Sequence, residues 1–184
     1  MSVNGKRPGV NPSGHMHAMY YLSTEKPDDW WEVEYLLDTA FGPGRTGLSS
    51  YQLRADVDPV AELCLVAHDD IGVIAGAIRF WPIQIGAEVG LLLGPVAVHP
   101  TRQGEGLGAQ LMAEALEKAR KSGWRWVVLV GDEPYYSRFG FSRAVATDIA
   151  FPPPTNPERV LAQELVDGAL ANVAGIVGKP VADS

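Results

Sequence analysis

The chain has 184 residues, of which 46% are hydrophobic and 20% charged, a balance typical of a folded globular protein. One domain is expected, and a chain of this length buries roughly 70% of its unfolded surface without needing disulfides or metals. The formal net charge is −7, with 22 acidic against 15 basic residues, which argues against a broad surface for nucleic acid or anionic membranes.

Cysteine, histidine and hydropathy bear on compartment and metal content. Cys64 is the only cysteine, which excludes an internal disulfide, and its apolar neighbours indicate a small core residue. No apolar run reaches the ~18 residues that span a bilayer, and the N-terminus lacks a signal-peptide core, so we expect a cytoplasmic protein. His15, His17 and His68 do not have metal-site spacing, so no metal is expected.

The first third of the chain predicts an extension, a strand and a helix. Residues 1–15 are rich in Gly, Pro, Asn and Ser and are expected to be disordered, before one domain over residues 16–184. Residues 16–22 are read as a first strand. A helix up to Phe41 is predicted next, because apolar residues recur there at helical spacing after an aspartate cap.

The middle of the chain predicts a loop and then an antiparallel pair. The stretch 42–59 is polar and turn-rich, with a short helix at about 49–54, and loops of this length are uncommon unless functional. Residues 61–67 and 73–81 read as two strands joined by a hairpin turn at 68–72.

The apolar segment 91–98 reads as a buried strand interrupted by Gly94 and Pro95. Proline cannot donate to a β-ladder, so either the strand lies at a sheet edge or it bulges there and parts from its neighbour. We favour the bulge, because a parted strand leaves backbone groups free to hold a long ligand.

A helix over about 105–122 follows, with one apolar face and a left-handed cap at Gly123. Residues 126–130 are continuously apolar, as expected of a strand buried on both faces. A strand, helix and strand in this order form a parallel, right-handed unit.

The C-terminal part is less regular. One more strand is predicted over 141–151, followed by a break at the prolines of 152–154. Residues 160–166 fit either a strand or a helix. The tail from Ala171 is small and glycine-rich, and it is expected to wrap the surface.

Three glycines mark the junction between the parted strand and the helix. Gly104, Gly106 and Gly108 leave little side chain in the way, so backbone N–H groups there can approach a ligand closely. The helix N-terminus adds unpaired donors and a partial positive charge. Together these features predict an anion site, most naturally for phosphate.

Two blocks of sequence resemble the GNAT-type N-acetyltransferases. The first contains Gln103-x-x-Gly106-x-Gly108 and is similar to the loop that binds the pyrophosphate of acetyl-CoA in that family. The second runs over 132–141 and is similar to a later motif in which a tyrosine precedes a Gly-Phe pair, the position of Tyr136. One helix and one strand separate the blocks, and the strong likeness covers residues 88–141.

The resemblance implies an α/β (α+β) fold with a single GNAT-like domain: a central mixed, mostly antiparallel sheet with a parallel splayed strand pair and flanking helices. It favours a strand at 160–166. It also implies direct transfer of an acetyl group from acetyl-CoA, through a tetrahedral intermediate, to the primary amine of a small molecule or protein. Dimers are frequent among proteins of this type, so a homodimer is left open.

The resemblance further implies which residues bind acetyl-CoA and which one assists the leaving group. Tyr136 is the expected general acid, because a phenol of pKa ~10 within hydrogen-bond reach can protonate a departing thiolate of pKa ~8.5. Tyr135 is adjacent, so only one of the two is expected to face the cleft. Backbone groups are expected to hold the cofactor at Val96, Ala97, Val98, Gln103, Gly104, Glu105, Gly106, Leu107 and Gly108.

The base that deprotonates the amine is left unassigned. Glu88 and Asp132 lie at strand ends near the presumed cleft, and Leu92 stands where many relatives carry a carboxylate. His99 is expected to be structural, since it precedes a proline in a turn.

Two other functions remain open from the residues alone. Gly104-x-Gly106-x-x-Ala109 matches the Rossmann dinucleotide fingerprint, and Asp132 lies at about the distance of its ribose-binding acid. Against this, residues 100–103 separate the strand from the first glycine, where a Rossmann turn is immediate. The other alternative is a non-catalytic domain that binds acyl-CoA.

Overall fold

A computed structural model describes residues 19–182 of the chain. The prediction of disorder for residues 1–15 and the first part of the predicted strand 16–22 lie outside the described residues. The helices and strands, in chain order, are β1 (Tyr21–Thr24), α1 (Trp30–Phe41), α2 (Ser49–Gln52), β2 (Leu65–His68), β3 (Ile74–Ile85), β4 (Glu88–Val98), α3 (Leu107–Lys121), β5 (Trp126–Val130), α4 (Glu133–Tyr136), β6 (Ile149–Ala150), β7 (Val160–Glu164) and β8 (Gly175–Ile176).

One six-stranded sheet organises the fold, in the order β1-β2-β3-β4-β5-β7. All neighbours are antiparallel except β4 and β5, which are parallel and joined by α3. This confirms the predicted mixed, mostly antiparallel sheet. It argues against the Rossmann reading, because that fold requires a mostly parallel sheet.

The two faces of the sheet are covered by different parts of the chain. The apolar stripe of α3, from Leu107 to Ala119, packs on the face that carries Ile78 and Phe80. On the opposite face, α1 covers one end of the sheet and the segment 146–177 covers the rest. This alternation follows from the period of two along each strand, which sends successive side chains to opposite faces.

The predicted bulge lies in β4 at Gly94 and Pro95. Ile78 pairs with Val96 and Phe80 with Leu93, so two residues of β4 stand opposite Arg79 alone. A Cβ on Gly94 would lie 2.6 Å from the Trp81 ring, so the close approach there requires glycine.

Beyond the first residues of their pairing, β4 and β5 separate. The parallel register consists of Leu91 with Val127 and Leu92 with Val128. After Leu92, β4 continues to Val98 while still paired with β3. The edge of β4 that faces β5 is therefore free of a strand partner there, as predicted.

The structure corrects the C-terminal prediction. Residues 141–151 do not form one continuous strand: Ser142 bridges Ala162, and only β6 is extended beyond it. The intervening residues turn, with the Ala146 N–H donating to the Arg143 carbonyl and the Ile149 N–H to the Ala146 carbonyl.

The ambiguous segment 160–166 is a strand, β7, over Val160–Glu164, since all five of its residues pair with β5. The tail runs along the surface as expected, and β8 pairs with β6 while Gly178 exchanges two backbone hydrogen bonds with Gln84. Within residues 19–182, no helix has both the length and the apolar character needed to cross a membrane.

Candidate active site

The opening between β4 and β5 leads into a cavity of about 330 Å³, here called the acceptor cavity. Its wall includes residues 93–96 of the parted strand, Val130 at the end of β5 and Tyr136 in α4. The other side of the wall comes from the segment 41–54, which folds into short helical turns and α2. The long loop predicted over 42–59 is thus partly helical and contributes to this site.

A second cavity, of about 500 Å³, lies against the glycine-rich loop and is called the loop cavity. Gly104 and Gly106 have φ values of +84° and +78°, in the left-handed region that favours glycine, and a Cβ on either would meet nothing within 4 Å. These two positions therefore favour glycine because of their backbone conformation, and not because a side chain would collide with the surrounding protein. The first N–H groups of α3 have no intrahelical acceptor and carry the positive end of the helix dipole.

The predicted cofactor-binding residues come together around the loop cavity. All of them except Glu105 line its wall, in two runs: Val96, Ala97, Val98, and Gln103, Gly104, Gly106, Leu107, Gly108. The Glu105 side chain is instead held by Tyr20, whose hydroxyl donates to its carboxylate. Burial, followed by this carboxylate, raises the pKa of Tyr20 to about 12.

Arg102 also lines the loop cavity and was not anticipated from the sequence. Its Nη2 donates to Asp69 Oδ2 at 3.0 Å. Asp69 is 5% exposed and also accepts the backbone N–H groups of Ile71 and Val73, which fastens the β2–β3 turn to the loop. A basic residue directly before the glycine motif was the available signal.

Tyr136 is partly buried in the wall of the acceptor cavity. Its ring meets Phe141 edge-on at 6.1 Å between centroids, and a Cβ on Gly131 would lie 2.4 Å from the ring. Burial, with smaller contributions from Tyr135 and Asp132, raises the pKa of Tyr136 to about 12. The hydroxyl therefore stays protonated at neutral pH.

The prediction that only one of the two tyrosines faces the cleft is wrong. Tyr135 lines the loop cavity and Tyr136 the acceptor cavity, and their rings meet edge-on at 4.9 Å. Adjacent side chains in a helical turn point about 100° apart, so two residues in a row can each reach a different part of one cleft.

The two candidate bases lie in different places. Glu88 pairs with Ile85 at the start of β4, at the end away from the opening, and is exposed. Asp132 lines a third cavity beside Tyr136, is exposed, and its Oδ1 lies 3.4 Å from Arg159 Nη2. Asp132 is thus the nearer of the two carboxylates to Tyr136.

Cys64 and His99 have structural surroundings. Cys64 is 3% exposed, and burial raises the pKa of its thiol to about 11. His99 accepts the Thr101 N–H at 3.3 Å, which stabilises the turn before the glycine loop. Within residues 19–182, no cluster of three or more His, Cys, Asp or Glu side chains is placed to hold a metal ion.

Three side chains of the acceptor cavity were missed from the sequence: Arg45, Tyr51 and Arg54. Arg45 is buried and paired with Glu34 and Asp38, while Arg54 lies over the Tyr51 ring with its guanidinium carbon 4.0 Å from the centroid. Two arginines in one turn-rich segment were the only sequence signal.

Comparisons with known proteins agree with this geometry. The profile of the acetyltransferase (GNAT) domain family matches residues 61–143. The chain is 33% identical to the N-acetyltransferase YhbS of Escherichia coli K12 over 160 residues, which is 85% of this chain and 93% of YhbS.

Two solved structures are similar as well. The crystal structure of E. coli YhbS in complex with CoA has a TM-score of 0.78 and 29% identity, covering 96% of this chain and 94% of that one. A GNAT family acetyltransferase from Brucella melitensis in complex with acetyl-CoA has a TM-score of 0.58 and 39% identity, covering 69% and 84%. With its parted strands and its glycine-rich loop, the chain belongs to the GNAT family of N-acetyltransferases.

Proposed function

We propose that the protein transfers the acetyl group of acetyl-CoA directly to the primary amine of a small molecule or protein. One observation carries the proposal: Val96 and Phe41 line both the loop cavity and the acceptor cavity, so the two cavities adjoin at the parted strand. A donor held in one cavity can then present its thioester to an amine in the other. Related structures bind CoA or acetyl-CoA, which supports the choice of donor.

The donor is held mainly by backbone groups. The pyrophosphate binds at the N-terminus of α3, where unpaired N–H groups and the helix dipole favour an anion. The pantetheine arm lies along the free edge of β4 as an added strand. The residues that we assign to the donor are Val96, Ala97, Val98, Gln103, Gly104, Glu105, Gly106, Leu107 and Gly108.

The reaction forms a C–N bond and breaks the C–S bond. The neutral amine attacks the thioester carbon, and a backbone N–H of the parted strand stabilises the oxyanion of the tetrahedral intermediate. Collapse of the intermediate expels the thiolate, which receives a proton from the Tyr136 hydroxyl, while the nitrogen loses one to solvent. Solvent then returns a proton to the Tyr136 phenolate, so the net transfer is one proton from nitrogen to sulfur and the tyrosine is regenerated.

The raised pKa of Tyr136 shapes this role. A phenol with a pKa of about 12 is a weaker acid than an ordinary tyrosine, so it mainly donates a hydrogen bond to sulfur as negative charge develops. The amine loses its proton to water in the open cavity or to Asp132, and we assign no base.

A thiol-release assay with acetyl-CoA tests the function against polyamines, amino acids, aminoglycosides and peptides. Thermal stabilisation by acetyl-CoA and by NAD is measured in parallel. We expect stabilisation by acetyl-CoA and turnover with at least one amine. Stabilisation by NAD alone would favour the dinucleotide alternative, and binding of acetyl-CoA without turnover would favour a non-catalytic domain.

Two further predictions concern the protein as a whole. A cytoplasmic location is tested by cell fractionation, and a homodimer by light scattering coupled to size-exclusion chromatography.

A further inference from the structure

The acceptor cavity has an unusual charge lining. Two of the residues in its wall are the arginines Arg45 and Arg54, and none of the others is Asp or Glu. A cavity for a purely cationic amine would instead be expected to carry a carboxylate, since opposite charges attract strongly where water is partly excluded.

Arg45 is already neutralised by the protein. Its Nη2 lies 2.5 Å from Glu34 Oε2 and its Nε 2.9 Å from Asp38 Oδ1, and Nη1 donates to the Tyr51 hydroxyl at 2.8 Å. These contacts leave it little capacity for a ligand.

Arg79, behind the cavity, is satisfied as well. It is 5% exposed and forms ion pairs with Glu25 at 2.7 Å and with Glu34 at 2.5 Å. Glu34 therefore serves both Arg45 and Arg79, and Glu25 and Asp38 complete the ion pairs of these two arginines.

Arg54 differs from both. No carboxylate of residues 19–182 lies within ion-pair distance of it, and its buried Nε has no hydrogen-bond partner there. Burial first, with Arg45 and Arg79 adding repulsion, lowers the pKa of Arg54. The attraction of an anion beside Arg54 would offset both effects.

The guanidinium of Arg54 is held by aromatic rings. Its central carbon lies 4.0 Å from the centroid of Tyr51 and 4.7 Å from that of Trp81. Trp81 is itself fixed, because its Nε1 donates to the Val57 carbonyl at 3.1 Å. The N–H groups of a guanidinium lie in its plane, the geometry that matches a carboxylate.

We propose that the acceptor is a small amine that also bears a carboxylate, and that Arg54 binds this carboxylate while the amine lies near Tyr136. The inference rests on the proposed function and names its substrate class. Both side chains line the same cavity, and about 330 Å³ is at the small end of ligand pockets, which suits an amino acid better than a folded protein.

Matched acceptors test the proposal through kcat/KM in the thiol-release assay. L-Phenylalanine and 2-phenylethylamine differ by the carboxylate, and kcat/KM is compared per neutral amine, because the carboxylate also changes the basicity of the amine. We expect the wild type to prefer L-phenylalanine about tenfold to a hundredfold, the range for hydrogen bonds to charged groups. Arg54→Gln should abolish most of this preference through KM, and Arg54→Lys should restore part of it.

Arg125→Gln is the matched control, since Arg125 is exposed beside β5, outside the residues that line the acceptor cavity. It should keep the wild-type preference. Equal kcat/KM values for the two amines in the wild type would overturn the proposal. An Arg54→Gln variant that loses kcat/KM equally for both amines would overturn it as well. The phosphonate analogue of phenylalanine is assayed beside them. A higher kcat/KM for the phosphonate than for L-phenylalanine would contradict the carboxylate and indicate that Arg54 binds a phosphate-like group.

Direct binding separates this inference from the proposed function. Calorimetry on the CoA-saturated protein compares N-acetyl-L-phenylalanine with N-(2-phenylethyl)acetamide. Tighter binding of the carboxylate, lost in Arg54→Gln, supports the inference even if no amine is acetylated. Equal binding overturns it even if acetylation is found. Thermal unfolding of Arg54→Gln and Arg54→Lys verifies that both variants fold.

Discussion

Replacing Tyr136 with phenylalanine removes a single oxygen from the proposed reaction centre. Within residues 19–182 the Tyr136 hydroxyl takes part in no side-chain hydrogen bond, so the fold loses no partner. The ring keeps its contacts with Phe141 and with the backbone at Gly131. We therefore expect the free energy of unfolding to change by no more than about 0.5 kcal/mol.

The expected effect on the rate follows from the role of the hydroxyl. General acid catalysis typically contributes about 10²- to 10⁴-fold, or about 3 to 5 kcal/mol. The pKa of Tyr136 is raised to about 12, which disfavours its phenolate by about 3 kcal/mol relative to an ordinary tyrosine. A weaker acid gives less assistance, so we place the loss of kcat in Tyr136→Phe near the lower limit, about 10²-fold.

Steady-state thiol release over a range of pH measures this effect. The KM for acetyl-CoA should change little, because the hydroxyl acts on the transition state and contributes little to donor binding. Activity of the wild type should rise with pH as the amine loses its proton. Because the folded pKa of Tyr136 is about 12, loss of its proton should cause no decline below about pH 10.

Two other tyrosines make the experiment decisive. Tyr35 is 71% exposed on α1, and Tyr35→Phe should behave as the wild type. Tyr135→Phe changes the neighbouring hydroxyl in the loop cavity. An undiminished kcat in Tyr136→Phe, or a large loss in Tyr135→Phe alone, would refute the assignment of the acid.

Three further predictions test the loop, a buried carboxylate and the cysteine. Gly106→Ala and Gly123→Ala, at opposite ends of α3 and with φ of +78° and +88°, should each lose about 1 kcal/mol of stability. Only Gly106→Ala should raise the KM for acetyl-CoA, and an equal rise in both would contradict a donor site at that loop. The Val73 and Ile71 N–H groups and Arg102 lower the pKa of Asp69. The ionised carboxylate therefore stabilises the fold fully above the pKa of Asp in the unfolded chain, about 4, and this contribution is lost as the pH falls through the pKa in the folded protein. Thermal unfolding should show Asp69→Asn less stable than the wild type at pH 7, with the gap closing in acid; a gap that does not vary with pH would argue against the charge. Cys64, with its pKa raised to about 11, should react with iodoacetamide at pH 8 far more slowly in the native protein than in urea, as read by mass spectrometry, and equal rates would show that the thiol is accessible.

Much of the backbone around the loop cavity was predictable, because its determinants are local in the chain. Left-handed φ at Gly104 and Gly106 is a preference of single residues, and the apolar face of α3 is a matter of spacing. The missing N–H of Pro95 predicted a disturbed ladder, and the bulge of β4 is the result. Each of these features can be predicted from residues that are close together in the sequence.

The acceptor side depends on contacts between distant parts of the chain. Arg79 and Arg45 share one ion-pair partner, Glu34, which is separated from Arg79 by 45 positions. The sequence shows arginines and carboxylates but not which of them pair, so it could not show that Arg54 has no ion-pair partner among residues 19–182. The raised pKa of Tyr136 arises in the same way, because burial is a property of the assembled fold.

The C-terminal segments show the same limit in the backbone. Residues 160–166 fitted two periodicities, and pairing with β5 decided for a strand, whereas residues 143–148 had strand-like character but turn. By itself, the amino-acid sequence determined the conformations that depend on neighbours along the chain: the glycine loop, the bulge and the amphipathic helix. Tertiary structure alone decided charge pairing, burial and strand partners, because these depend on residues that meet only when the chain is folded.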